Sequence, residues 1–236
     1  HIMSTLNEIV PPSRVDQDGH LSLFGAVQLM QDCSELWSES NTHVINYFDQ
    51  CNRAAWLAFR QIEVHRVPSY RERLTITSGL FECKELYALR NTIIRDSHNQ
   101  VCYAAWSMGA FVDSTTGRLS AIPSEICQSI HFDNRFPMSY RDRRIRIPNA
   151  EPTDSMTYTV CRNDIDYNRH LNSAHYVRLA VELLPVGFEP RNIRIDYKQS
   201  LHLNDQAHLQ LLPIEGGYLV VINGPQGRCC ILEFLA

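Results

Sequence analysis

The chain has 236 residues, 44% of them hydrophobic, which is enough for one large domain or two of about 115 to 120 residues and too much for a disordered chain. A formal net charge of −4 provides no global basic field, which argues against a dedicated nucleic-acid binder. No apolar run approaches ~20 residues and no secretory signal is apparent; His1-Ile2-Met3 reads as a cloning remnant, so a cytoplasmic protein with no membrane segment is expected.

The eight cysteines (33, 51, 83, 102, 127, 161, 229 and 230) form no Cys-x-x-Cys pair, and most sit among apolar neighbours, as small hydrophobes do. Reduced thiols are the expectation in that compartment. The ten histidines are scattered, with no His-x-x-x-His spacing. Neither a zinc site nor any cofactor is expected.

In chain order, the first element is a short strand near residues 6–10. It leads into Val15-Asp16-Gln17-Asp18-Gly19-His20-Leu21-Ser22 and then a helix whose apolar stripe is Leu23, Val27, Met30, Cys33 and Trp37, the spacing of one helical face. Strands follow over residues 54–67, 73–83, 86–96 and 101–113. They are punctuated by Pro68, Lys84-Glu85, His98-Asn99 and Thr116-Gly117. Residues 120–154 contain Pro123, Pro137, Pro148 and Pro152 with little periodicity, and read as a linker. Within them Arg141-Asp142-Arg143-Arg144-Ile145-Arg146 reads first as a solvated linker strand. After a strand near 157–161 comes Asp164-Ile165-Asp166-Tyr167-Asn168-Arg169-His170-Leu171-Asn172, then a helix over 174–184 stopped by Pro185. Strands are expected over 191–200, 207–213, 218–223 and 228–234, with Gly216-Gly217 and Gly224-Pro225-Gln226-Gly227 as turns.

Two features stand out. The segment at 15–22 is echoed at 165–172, each copy preceded by a strand and followed by a helix and a meander. That order lets an antiparallel sheet wrap a central helix, the hotdog arrangement. In the second copy Asp166, Asn168, His170 and Asn172 fall at every second position, so in an extended segment they would project to one side. That row runs into a helix N-terminus, whose free N–H groups and partial positive charge suit a developing oxyanion. The plainer reading is that Asn172 or Ser173 is simply the N-cap.

Asp-x-Asn-x-His-x-Asn, followed by a small residue, resembles the signature of the acyl-acyl-carrier-protein (acyl-ACP) thioesterases of plants and bacteria. Trp56 to Tyr70 is similar to that family's first-domain strand and the turn after it. So are Ala104-Ala105-Trp106-Ser107-Met108, Asp113 and the Thr116-Gly117-Arg118-Leu119 turn; together these stretches span most of residues 15–205. The resemblance implies an α+β tandem double hotdog, each half an antiparallel sheet around one long central helix. It further implies an acyl-binding N-terminal domain (4–119), a linker (120–154) and a catalytic C-terminal domain (155–236). The function it implies is hydrolysis of acyl-ACP to free fatty acid, with acyl carrier protein as partner and a monomer or homodimer as the assembly. It gives the arginine run a second reading, as a docking patch for an acidic carrier protein.

By the same resemblance, Asp166, Asn168 and His170 are the catalytic candidates. His170 can move protons near neutral pH, the Asn168 amide can hold water or the thioester oxygen, and Asp166 can orient either or serve as the base. The family's further Glu aligns with Ser200, a relay at most, and a Cys that plant members carry next to it aligns with Leu201, which excludes a cysteine nucleophile there. His202 and Asp196 share Ser200's strand parity. The first copy, with Asp16, Asp18 and His20, reads as structural. Trp37, Trp56, Phe59 and Trp106 are candidates to line an acyl slot, though each is more often plain core. The competing functions are acyl-CoA hydrolysis and a non-catalytic acyl-binding hotdog. Hotdog dehydratases lack support, because their Pro-Gly-His-Phe-Pro stretch has no counterpart here.

Overall fold

The computed structural model describes residues 3–236; His1 and Ile2 of the expected cloning remnant lie outside it. The chain divides into two compact units. The first comprises the chain up to Arg60 and His65–Tyr140, and the second comprises Gln61–Val64 and Arg141–Ala236. Among the described residues no helix is long and apolar enough to cross a membrane.

In the first unit, β1 (Ser4–Ile9), β2 (Arg53–Val64), β3 (Arg73–Cys83), β4 (Tyr87–Asp96) and β5 (Val101–Asp113) lie in the order β1-β3-β4-β5-β2. The β1–β3, β3–β4 and β4–β5 pairs are antiparallel. Helix α1 (Leu23–Glu35) packs on this sheet through Ala26, Val27, Leu29, Met30 and Cys33. Ser22 caps it, accepting the Gly25 N–H at 2.9 Å. Gly25 is required there: a Cβ would sit 2.8 Å from the Arg14 carbonyl oxygen.

Two short helices, α2 (Trp37–Ser40) and α3 (Thr42–Cys51), follow; Trp37, expected on the stripe of the first helix, opens α2 instead, and no element was expected over 42–51. Val44, Tyr47 and Phe48 of α3 meet a cluster of Leu80, Ala88 and Phe111, and their i, i+3, i+4 spacing is the signal that was available.

The proline-rich stretch is not a free linker. It contains α4 (Ser124–Gln128), and Ile122, Cys127 and Ile130 are buried in that same cluster. Further on, the Asn91 amide donates to the Tyr140 hydroxyl at 2.9 Å while its carbonyl oxygen accepts the Phe136 N–H at 2.8 Å.

In the second unit, β6 (Asp154–Thr159), β7 (Asn192–Tyr197), β8 (Gln206–Ile214), β9 (Gly217–Gly224) and β10 (Gly227–Leu235) lie in the order β7-β10-β9-β8-β6, every pair antiparallel. Helix α5 (Ser173–Val181) buries Ala174, Tyr176, Val177, Leu179 and Ala180. Its last turn tightens to i→i−3 bonds from Glu182, Leu183 and Leu184 before Pro185, so the regular helix ends three residues short of the expected boundary. Each unit is thus a hotdog, an antiparallel sheet around one helix. The repeat holds residue by residue over its first part. β1 corresponds to β6, a 3-10 turn at Pro12–Arg14 to one at Arg162–Asp164, and the Val15–Leu21 bridge to Ile165–Leu171.

The arginine run is divided by its surroundings. Arg141 donates to Glu233 at 2.6 Å and to Asn192 at 3.0 Å. Arg194 makes a two-bond fork on the Glu233 carboxylate at 2.9 and 2.6 Å and also donates to the backbone oxygens of Asp142 and Arg144. Ile145 is buried among Leu212, Leu219, Val221 and Ile231, leaving Arg143, Arg144 and Arg146 exposed. Burial alone would raise the Glu233 pKa, but bonds from Arg194 and Arg141 outweigh it and hold the carboxyl below its ordinary value.

Glu233→Ala leaves two guanidinium groups facing an empty site. It is expected to lower unfolding stability by about 3–5 kcal/mol in urea titrations. Since the folded pKa is depressed, the stabilisation from Glu233 is full above the ordinary carboxylate range and fades as pH falls through the depressed value. The variant should therefore lose less stability on acidification than the parent chain.

Candidate active site

The second copy of the repeat forms a closed loop and not the extended row that alternate spacing suggested. The Asp166 N–H donates to the His170 oxygen at 3.0 Å and the Arg169 N–H to the Asp166 oxygen at 2.9 Å, with Arg169 left-handed at φ 63°. The Asp166 carboxylate accepts the Asn168 N–H at 2.9 Å. Aspartate favours this two-residue closure over strand geometry. The loop sorts the expected residues by depth. Tyr167 and Asn168 stand exposed at the tip, while Asp166 and His170 are half-buried at the base.

Two hydrogen bonds dock this base. The Leu171 N–H donates to the Leu201 oxygen at 2.8 Å, and the Leu201 N–H donates to the Tyr176 hydroxyl of α5 at 3.0 Å. Asn172 is the N-cap of α5. Its Oδ1 accepts the Ala174 N–H at 3.1 Å, and its Nδ2 reaches Asp166 Oδ2 at 3.5 Å. The capping reading of Asn172 therefore holds, and the cap ties the acid of the loop to the helix end.

The segment after β7 supplies a partner that motif reading did not assign. Ser200, the expected relay, is half-buried one residue before Leu201. His202, two residues on, sets its ring edge-on to His170 with centroids 5.0 Å apart. Asp205 holds His202, accepting its backbone N–H at 2.8 Å and lying 3.6 Å from its Nδ1. Strand parity had marked 202 as one of two alternatives. The other, Asp196, pairs instead with Lys198 at 3.2 Å.

Burial lowers the His170 pKa below 6.5, and the neighbouring His202 lowers it further, against a smaller opposing pull from Asp166. His170 is thus a neutral imidazole at neutral pH, able to accept a proton. His175, in the first turn of α5, is also lowered, by burial and then by Arg178, whose Nε–H donates to its Nδ1 at 2.9 Å. Arg178 further donates to buried Asp164 at 3.0 Å, and that carboxylate accepts the Tyr158 hydroxyl and the Cys161 N–H, each at 2.8 Å. This cluster braces the loop from below; nothing in the spacing of 164–176 distinguished Asp164 from the catalytic candidates.

The first copy shows what the loop looks like without these additions. Asp16 Oδ1 accepts both the Asp18 and His20 N–H groups at 2.9 and 3.0 Å, Gly19 is left-handed at φ 78°, and His20 is exposed. With Ser22 as the cap, its oxygen goes to Gly25 and to no acid. The residue corresponding to His175 is Gly25. This geometry fits the structural role expected of Asp16, Asp18 and His20. Among the described residues, no group of three or more His, Cys, Asp or Glu side chains could hold a metal ion.

The His170–His202 contact gives a direct expectation. Replacing His202 with Gln removes the neighbour that helps lower the His170 pKa and should raise it, read from imidazole proton shifts in an NMR titration. An unchanged or lower value would contradict the proximity.

The family model for the acyl-ACP thioesterase N-terminal domain matches residues 7–130, and that for the acyl-ACP thioesterase C-terminal domain matches 148–212. Two chloroplastic acyl-[acyl-carrier-protein] hydrolases of Cuphea viscosissima are similar in sequence. One is 29% identical over 144 residues (58% of this chain, 35% of that protein), the other 26% over 135 residues (55% and 33%). The match takes in about a third of the length of these curated relatives. An acyl-ACP thioesterase structure from Bacteroides thetaiotaomicron superposes with a TM-score of 0.87 at 19% identity, covering 99% of this chain and 97% of that one. The 12:0-ACP thioesterase of Umbellularia californica superposes with a TM-score of 0.88 at 13% identity, covering 99% and 96%. At these identities the structures establish the double-hotdog fold alone.

Proposed function

The chain belongs to the acyl-ACP thioesterase family, and from that premise we propose that it hydrolyses acyl-ACP to free fatty acid and holo-carrier protein. The observation that carries this reading is the content of the C-terminal-domain match. Residues 148–212 include the loop, the helix end and the His202 segment, and they hold a histidine kept neutral beside a capped helix N-terminus.

In this reading His170 takes a proton from water as its oxygen bonds to the thioester carbon. The N-terminus of α5 offsets charge on the tetrahedral oxyanion. The C–S bond then breaks, and the imidazolium returns its proton to the departing thiolate. Asp166 favours the imidazolium electrostatically, and its bond to Asn172 keeps it in reach of the helix end. Asn168, exposed at the tip, is assigned to hold water or the thioester oxygen. With Ser200 where the family carries Glu, water activation falls to His170, with Asp205 fixing His202 against it. Of the arginine run, Arg143, Arg144 and Arg146 remain exposed, a basic strip suited to an acidic carrier protein.

The test is a comparison of variants on acyl-ACP. His170→Ala should lower turnover by about two orders of magnitude or more, while His20→Ala should leave it within about twofold, as expected for an exposed surface change. Ser200→Glu should keep or raise the rate. Full activity in the first variant, or its loss in a well-folded second, would reverse the assignment of chemistry to the second unit.

A further inference from the structure

The proposed hydrolysis makes no use of a pair of thiols in the first unit. Cys83 ends β3 and Cys127 lies in α4, and their sulfurs are 3.3 Å apart, in direct contact. The Lys84 carbonyl oxygen is within reach of both, 3.3 Å from the Cys127 sulfur and 3.5 Å from that of Cys83. Backbone bonds fix both segments on one turn. The Lys84 N–H donates to the Tyr87 oxygen at 2.8 Å, and the Ile122 N–H, just before α4, donates to the Glu85 oxygen at 2.9 Å. The fold thus holds together two sulfurs that stand 44 positions apart in the chain. A disulfide needs its sulfurs about 2.0 Å apart, so closure from the observed contact is an approach of roughly 1 Å, small enough for side-chain rotation.

The pair is also reachable. Cys83 is half-buried and Cys127 buried, and both line an open cleft of about 530 Å³ together with Lys84, Tyr87, Ser124 and Gln128. Other thiols are placed differently. Cys33 points at the backbone oxygens of Ser4 and Ile76, Cys229 points at that of Gly227, and Cys51 and Cys161 are exposed. Burial, and then the bond to Cys127, hold the Cys83 thiol well above its ordinary pKa. Little thiolate is present at neutral pH, so exchange at this site is slow, on the scale of hours.

We propose that Cys83 and Cys127 form a reversible oxidation site, which exchanges with a small-molecule disulfide and closes an internal bond that pins α4 to the end of β3. Cys83, the more accessible, loses its proton and attacks one sulfur of the small disulfide. That S–S bond breaks, and one thiol departs with a proton. Cys127 then attacks the Cys83 sulfur of the mixed disulfide, gives up its own proton and releases the second thiol. The two cysteines lose two electrons and the small disulfide gains them. The new bond fastens α4 over the cluster of Val44, Leu80 and Phe111 that Cys127 joins. The site lies wholly in the first unit and owes nothing to the hydrolase reading.

The test incubates the reduced full chain with oxidised glutathione for hours, blocks remaining thiols by alkylation, and maps the digest by mass spectrometry without reductant. The expected product is a Cys83–Cys127 cross-linked peptide in most of the chain, with glutathione retained on exposed Cys51 and Cys161. Cys127→Ala should leave glutathione on Cys83, which the parent chain does not keep. The oxidised parent should melt at least about 4 °C higher than the reduced chain, a gain that Cys127→Ala lacks and dithiothreitol reverses. Alkylated Cys83 and Cys127 with no cross-link, in a chain whose exposed thiols carry glutathione, would overturn the proposal. So would cross-links scattered over other cysteine pairs. A cross-link with no rise in melting temperature would overturn the pinning of α4. Mapping the parent chain decides the bond itself even where the alanine variant fails to fold.

Discussion

An aspartate that turns its carboxylate back on the amides just after it shapes both halves of this chain. In each half the bond closes a five-residue loop, sets one residue in the left-handed region and delivers the chain into a capped helix. What distinguishes the halves is where the second carboxylate oxygen goes. With Asn172 as the cap, Asp166 gains a link to the helix end; with Ser22, Asp16 has none. The change of cap residue from serine to asparagine couples a charge, an imidazole and a helix N-terminus in the second half only. A local turn preference thus becomes the framework of a site.

Around that loop, and elsewhere in the chain, buried polar groups are handled in three distinct ways. Glu233 and Asp164 are neutralised by arginines and fully hydrogen-bonded, which holds the 141–144 backbone and the loop base in place. His170 and His175 are kept uncharged by burial together with a neighbouring base, which makes them acceptors at neutral pH. Arg90 is neither paired with an acid nor neutralised, but stacks on a tryptophan above a hydroxyl. The first arrangement stabilises, the second prepares for proton transfer, and the third holds a cation on a ring and a hydroxyl.

Much of this was legible before any coordinates. Strands 73–83 and 101–113 fall where turn residues bound them; along 73–83 burial also alternates over its first residues, on a strand that packs against α1. The repeat was readable as well, since both copies answer to one loop chemistry. Residues 166–172 do not form the extended row that their alternate spacing suggests, because Asp166 closes the chain on itself. The break between α1 and α2 and the presence of α3 leave little trace in the pattern, because only Val44 of α2 and α3 is fully buried. The contact of His202 with His170 joins segments thirty-two residues apart through the Leu171–Leu201 backbone bond. Parity narrows such a partner to two positions, and only the fold decides between them.

The measurement that bears most directly on the hydrolase assignment is free-acid release by the purified chain from acyl-ACP and from acyl-CoA carrying the same acyl group. Turnover on both with a clear preference for acyl-ACP is the expected result, and makes Ser200 a tolerated replacement for the family's glutamate. A folded chain that releases no acid from either carrier, while still binding it, would contradict the assignment and identify an acyl-binding protein built on a thioesterase fold.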